Sequence, residues 1–133
     1  MSELDEPADP PEFYVDRQET IFLGADVRPF KLSRLPQTSG SVDTVIDFCV
    51  VAQSLEAPAR LEIRREIFRV LRPGGAHVIS YVNRLCCHDE AFPDQHHYTP
   101  LEIADELREA GFVIIRHTYG QLHSGLLARK PMQ

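Results

Sequence analysis

Val42-Asp-Thr-Val-Ile-Asp-Phe-Cys-Val-Val51 is nearly continuous apolar sequence, interrupted only by short polar side chains. A run of this kind suits a strand covered on both faces, as in a parallel sheet. Downstream, Pro58 fits the first helical position, where its missing N–H would have no intrahelical partner. Ile63, Ile67, Val70 and Leu71 then recur at helical spacing, with Glu62, Arg64, Arg65, Glu66 and Arg69 expected on a solvated face. Arg72-Pro-Gly-Gly75 stops this helix and turns into a strand over 76–82. Strand–helix–strand alternation predicts a parallel sheet with right-handed crossovers. A second helix is announced by Thr99-Pro-Leu-Glu102, a capping box with proline just inside, and closed by Gly111 as a left-handed cap. Phe112 to Tyr119 and Ser124 to Lys130, turned near Gly120, predict a final antiparallel hairpin.

Upstream of the apolar run, Thr20 to Ala25 reads as a strand ending at Gly24, and Glu12 to Asp16 as a shorter one. Arg28 to Gly40, with Pro29 and Pro36, reads as loop. Residues 1–11 carry Pro7, Pro10 and Pro11 among acidic side chains and are expected to form a flexible tail. The expectation is therefore one α/β domain over 12–133, mostly parallel, with helices on both faces.

Acidic residues outnumber basic ones by 20 to 14, for a net charge of −6, and no cationic run stands out. A duplex-binding surface needs clustered cations, so nucleic acid is not an expected partner. No uncharged apolar run approaches the roughly 20 residues of a membrane helix, and the start has neither the basic nor the apolar region of a signal peptide. The three cysteines do not form a disulfide framework, since Cys86 and Cys87 are adjacent and Cys49 lies in a strand. A cytoplasmic location fits that usage.

Several segments resemble class I S-adenosylmethionine-dependent methyltransferases, particularly the methyltransferase type 11 group. They are Ser41-Val-Asp-Thr-Val45, Arg69-Val-Leu-Arg-Pro-Gly-Gly75 and Glu109-Ala-Gly-Phe112. Phe92-Pro-Asp-Gln-His-His-Tyr-Thr-Pro100 and Leu127-Ala-Arg-Lys-Pro131 are similar to further stretches of that family, and the resemblance runs from about Phe13 to Pro131. It implies a truncated Rossmann-like methyltransferase sheet and S-adenosylmethionine as cofactor. It also implies cofactor contacts: Asp16 on the ribose, Asp26 and Val27 on the adenine, Asp47 and Phe48 on the methionine part. The family's first strand and glycine-rich turn have no counterpart before Asp16. Those glycines let backbone approach the cofactor closely, with a helix amino terminus facing its carboxylate. That strand is also the middle of the family's sheet. Its loss would leave the fourth strand, Val42 to Val51, at an open edge unless another strand closes in or a homo-oligomer or partner subunit covers it.

Two functional expectations follow from the resemblance. One is an S-adenosylmethionine-dependent methyltransferase acting on a small-molecule acceptor. The other is a non-catalytic methyltransferase-like module, either a pseudoenzyme or a partner subunit, that does not bind the cofactor on its own. The loop over 83–98 leaves the carboxyl end of a strand, where open α/β sheets place ligands. It carries Arg84, Cys86, Cys87, His88, His96, His97 and Tyr98. Within it His88, His96 and His97 are candidate general bases toward an acceptor. Its Cys-Cys-His and His-His spacing matches no standard zinc pattern, so no metal is expected.

Overall fold

In a computed structural model, residues 19–24, 32–85, 92–121 and 123–132 are described. The apolar run forms β2 (Val42–Phe48), preceded by β1 (Thr20–Leu23) and followed by α1 (Ala57–Val70) and β3 (Leu71–Val82). Then come α2 (Pro100–Glu109), β4 (Val113–Thr118) and β5 (His123–Arg129). The five strands order as β1-β2-β3-β5-β4. β1, β2 and β3 are mutually parallel, and β5 inserts antiparallel between β3 and β4. The parallel centre and the terminal hairpin are as expected. The edge of β2 is covered by the chain itself, because Thr20–Leu23 pairs in register with Thr44–Asp47. The strand expected over 12–16 and the tail over 1–11 lie outside the described residues.

Register decides which side chains meet the helices, because paired residues in neighbouring strands share a face. One row crosses the sheet as Leu23, Asp47, Ile79, Leu126 and His117. Its first four members are 3% exposed or less. The adjacent row, Phe22, Ile46, Val78, Leu127 and Arg116, points the other way. There Phe22 is 61% exposed and Val78 37% exposed. Both helices lie over the first row and are joined to each other by Arg60 and Arg64 of α1 against Glu106 of α2. The expectation of helices on both faces therefore holds for one face only among the described residues. Ile63, Ile67, Val70, Ile103 and Leu107 supply the buried helical stripes. No helix among the described residues is long and apolar enough to cross a membrane.

The Arg72-Pro-Gly-Gly75 segment ends α1, as read, but its residues already belong to β3. Leu71 pairs with Val42, and pairing resumes at Ala76 opposite Thr44 after a register shift. Gly75 makes this crossing possible: a Cβ there would stand 2.9 Å from the Arg72 carbonyl oxygen and 3.1 Å from that of Asp43. Lys130, just past β5, returns to α1 and donates from Nζ to the carbonyls of Phe68 (2.9 Å) and Leu71 (2.8 Å). A cation at that end also suits the helix dipole. Gly111 has φ +110° and follows α2, where its hydrogen-bonded turn leads into β4.

The capping box of α2 forms as predicted. Thr99 Oγ1 accepts from the Glu102 N–H at 3.1 Å, and Glu102 Oε1 accepts from the Thr99 N–H at 3.3 Å. Thr99→Ala removes one of these bonds and is expected to lower stability by about 1 kcal/mol. Urea unfolding checks this as a lower midpoint at unchanged slope.

Candidate functional site

Asp47, the last but one residue of β2, lies on the helix-facing side of the sheet, and both its carboxylate oxygens are engaged. Oδ1 accepts from the N–H groups of Val50 (2.8 Å) and Val51 (3.1 Å). Oδ2 accepts from Arg64 Nη1 at 2.8 Å. The two backbone bonds hold a sharp turn, since Cys49 sits in the left-handed region at φ 63° and a 3-10 turn follows over Val51–Gln53. A non-glycine residue in that region costs on the order of 1 kcal/mol and needs such support. Burial pushes the Cys49 thiol up to about 11, partly opposed by Ser80, while the Asp47 charge adds to the rise. Cys49 is thus a protonated, enclosed thiol.

Arg64 is the hub of a buried polar cluster. It donates from Nε to Glu106 Oε2 (2.9 Å) and from Nη2 to the Tyr98 hydroxyl (3.3 Å), besides its bond to Asp47. Its Nη1 also lies 3.1 Å from His77 Nε2, while His77 Nδ1 lies 3.0 Å from the Val45 carbonyl oxygen. A carbonyl only accepts and a guanidinium only donates, so His77 is neutral with its proton on Nδ1. Arg60 donates to Glu106 Oε1 (3.1 Å) and to the Ser54 carbonyl (3.0 Å). The Tyr98 hydroxyl donates to Glu106 Oε2 at 2.6 Å. Arg60, Arg64, Asp47, His77 and Tyr98 are all at most 2% exposed. Burial opposes the charge of Arg64, but Tyr98, Asp47 and Glu106 outweigh it and hold its pKa above the ordinary value. Placing Arg64 on a solvated face is therefore wrong. Arg60, Ile63, Arg64 and Ile67 are spaced as one helical stripe, and that stripe faces the sheet.

A cleft lies at the carboxyl end of β3, lined by residues that flank Tyr98 of the cluster in sequence. Buried Asn83 continues β3 by bridging in parallel to Tyr98. Its side chain donates to Ser124 Oγ (3.0 Å) and accepts from the Leu85 N–H (2.9 Å). The Arg84 N–H donates to the Tyr98 carbonyl at 2.8 Å, and the His96 N–H to the Ala52 carbonyl at 2.7 Å. Leu55, Arg84, Pro93, Gln95, His96 and His97 line the cleft, whose volume is about 370 Å³. His96 Nε2 lies 2.7 Å from Glu102 Oε2, so the capping carboxylate also orients this imidazole. The His97 ring donates from Nε2 to the Phe92 carbonyl at 3.1 Å.

The structure thus brings His96 and His97 together with Arg84, and places Phe48, 56% exposed, at the end of β2. Asp47 is instead enclosed at 1% exposure. Asp16, Asp26, Val27, Cys86, Cys87 and His88 lie outside the described residues. Asn83 and Glu102 were not singled out for the cleft; the capping box already marked Glu102, and a polar residue closing an apolar strand was the signal for Asn83.

Residues 12–79, about half of the chain, match the family described as methyltransferase domain. A "Probable S-adenosylmethionine-dependent methyltransferase" of Mycolicibacterium smegmatis is 32% identical over 108 residues, 77% of this chain. The chain belongs to the methyltransferase domain family. It spans 40% of the length of that relative. Two solved methyltransferase-fold structures are similar to this family member. One is the Burkholderia thailandensis 1,6-didemethyltoxoflavin-N1-methyltransferase with bound 1,6-didemethyltoxoflavin and S-adenosylhomocysteine. Its TM-score is 0.61 at 23% identity, over 75% of this chain and 48% of that one. The other comes from the complex between the Haloferax volcanii Trm112 methyltransferase activator and a methyltransferase. Its TM-score is 0.62 at 15% identity, over 75% of this chain and 59% of that one. At these identities the likeness is one of fold, and a protein of this fold is seen there with a partner subunit.

S-adenosylmethionine is the cofactor that membership of this methyltransferase family implies. The described ends of β1 and β2 do not by themselves fit it. The Asp47 carboxylate is consumed within the core, and the space over Gly24 is filled by the Phe22 ring, 2.8 Å from where a Cβ would stand.

Two predictions test the cluster. Arg64→Ala would leave Asp47 and Glu106 buried without their shared cation, and is expected to cost about 3–5 kcal/mol in chemical denaturation. Burial, and then the Arg64 charge, push His77 down to about 3, with the Val45 bond and Asp47 opposing in part. The unfolded chain takes up that proton near pH 6.5. Between these values the unfolded state binds more protons, so stability rises with pH and is lost toward acid. Burial lowers His117 as well, in the same sense. The His77 share between pH 6.5 and 5.5 is about 1 kcal/mol, and His77→Gln should flatten the pH dependence of the urea midpoint by that amount.

Proposed function

We propose that this chain carries the acceptor-binding side of an S-adenosylmethionine-dependent methyltransferase, with a small molecule as acceptor, and does not grip the cofactor tightly unaided. The observation that carries the first part is the 370 Å³ cleft at the carboxyl end of β3, open to solvent and lined by Arg84, His96 and His97. Ligands of open α/β sheets bind at the carboxyl ends of strands. A cleft of this volume suits a small molecule and not a protein surface. Arg84 and His97 flank the acceptor in this reading. His96, oriented by Glu102, is the general base where the acceptor must lose a proton. Phe48 is proposed to contact the methionine part of the cofactor, with Asp16, Asp26 and Val27 toward the nucleoside. Asp47 acts indirectly, by holding the turn that follows Phe48.

The second part of the proposal rests on the enclosed Asp47 and the occupied space at Gly24. It favours a chain that works within an assembly, as a homo-oligomer or with a partner subunit. Isothermal titration of the chain with S-adenosylmethionine and with S-adenosylhomocysteine tests it. No saturable heat is expected at micromolar ligand; a micromolar dissociation constant for either compound would overturn this part of the reading.

A further inference from the structure

We infer that the ligand of the β3 cleft is an organic oxyanion, a small molecule with a carboxylate or phosphate on an apolar body, held by the Arg84 guanidinium. The inference rests on reading this cleft as the acceptor site but concerns binding alone. The chain carries a net charge of −6, and several of its arginines are committed to the fold. Arg60, Arg64, Arg69 and Arg72 each bond a carboxylate within the fold. Arg84 makes no side-chain hydrogen bond or ion pair among the described residues. Its backbone is nonetheless fixed on both sides: its N–H donates to the Tyr98 carbonyl, and buried Asn83 holds the following Leu85 N–H. The backbone that carries the guanidinium to the rim of the cleft is therefore set before a ligand arrives, and only the side chain remains to be ordered.

The lining reinforces this polarity. Leu55, Pro93, Gln95, His96 and His97 complete the described wall, and none is a carboxylate, although the chain holds 20 acidic residues. Glu102, the carboxylate bonded to His96, is not one of the lining residues and also faces Arg60 at 3.7 Å. Leu55 and Pro93 add apolar surface to the wall, which favours an organic anion over a bare inorganic ion. A guanidinium presents parallel donors matched to the two oxygens of a carboxylate or phosphate, a match that lysine does not reproduce.

The test uses benzoate, phenyl phosphate and benzyl alcohol titrated into the whole chain, followed by amide and Arg84 Nε–H resonances. Both anions are expected to bind at least fivefold tighter than benzyl alcohol, shifting resonances of Arg84 and of residues 95–97. The stronger of the two identifies carboxylate or phosphate as the preferred group. Arg84→Ala is expected to abolish that preference and Arg84→Lys to restore it in part, each with an unchanged spectrum elsewhere. Equal affinity for benzyl alcohol and both anions, or an anion preference that survives Arg84→Ala, would overturn the inference. The titration needs no cofactor, so it stands or falls separately from methyl transfer. Anion binding at Arg84 in an assembly that methylates no such compound would fault the acceptor reading alone.

Discussion

Arg64 is the point on which the arrangement of this fold turns. One guanidinium meets Asp47 of β2, His77 of β3, Glu106 of α2 and Tyr98 of the loop before α2. Two cations, Arg60 and Arg64, face two carboxylates, Asp47 and Glu106, with every member in short hydrogen bonds. Such a cluster is not in itself a large source of stability, because the cost of removing charges from water offsets most of their attraction. Its effect is on geometry. An apolar core tolerates sliding of one helix over another, whereas a buried charge set is satisfied in one register only. The cluster therefore fixes α2 relative to α1, and through Tyr98 it fixes the segment that carries His96 and His97.

That coupling assigns separate tasks to neighbouring residues. Asp47, which the family resemblance marked as a cofactor contact, faces inward with Leu23 and Ile79, its partners on either side. Phe48, next in sequence, alternates to the other face and is exposed, as the period of a strand requires. The carboxylate positions the backbone that follows Phe48, and only the exposed neighbour is open to solvent. At the end of β3 Asn83 plays the corresponding part, with its amide buried and Arg84 exposed next to it. In both places a buried polar side chain sets the path by which the chain leaves a strand.

The elements themselves were legible in the residues. A continuous apolar run, a helix bounded by proline and by Pro-Gly-Gly, a capping box and a terminal pair of alternating segments each have a local physical cause, and each formed. Arg64 was misread because charge was weighed above position. It recurs with Arg60, Ile63 and Ile67 at intervals of three and four, and a stripe of that spacing faces the core even when it holds arginine. The partners that make burial tolerable, Asp47 and Glu106, lie 17 and 42 residues away from Arg64, a separation that no local pattern encodes. The cleft was foreshadowed only as a loop rich in histidine; which of its side chains converge depends on the Asn83–Tyr98 bridge, a contact between segments 15 residues apart in the sequence.

The apolar face opposite the helices bears on the same question of what sequence can specify. β2 is written as a strand for burial on both sides, yet Phe22, Ile46, Val78 and Leu127 form a row on which no described helix packs. Composition cannot distinguish a face that is covered from one that is not, because the same β-branched and aromatic residues serve pairing in the sheet and packing above it. Burial separates the two. Ile79 is 1% exposed and its neighbour Val78 37%, although both are aliphatic residues in the middle of β3. The face that carries Asp47, His77 and Arg64's contacts is closed by the helices within the described chain. The second side of the sheet, which carries Phe22 and Val78, is only half buried. That asymmetry has one physical cause: strand alternation sends Asp47 into the charge cluster and leaves Phe48 on the side that no described helix covers.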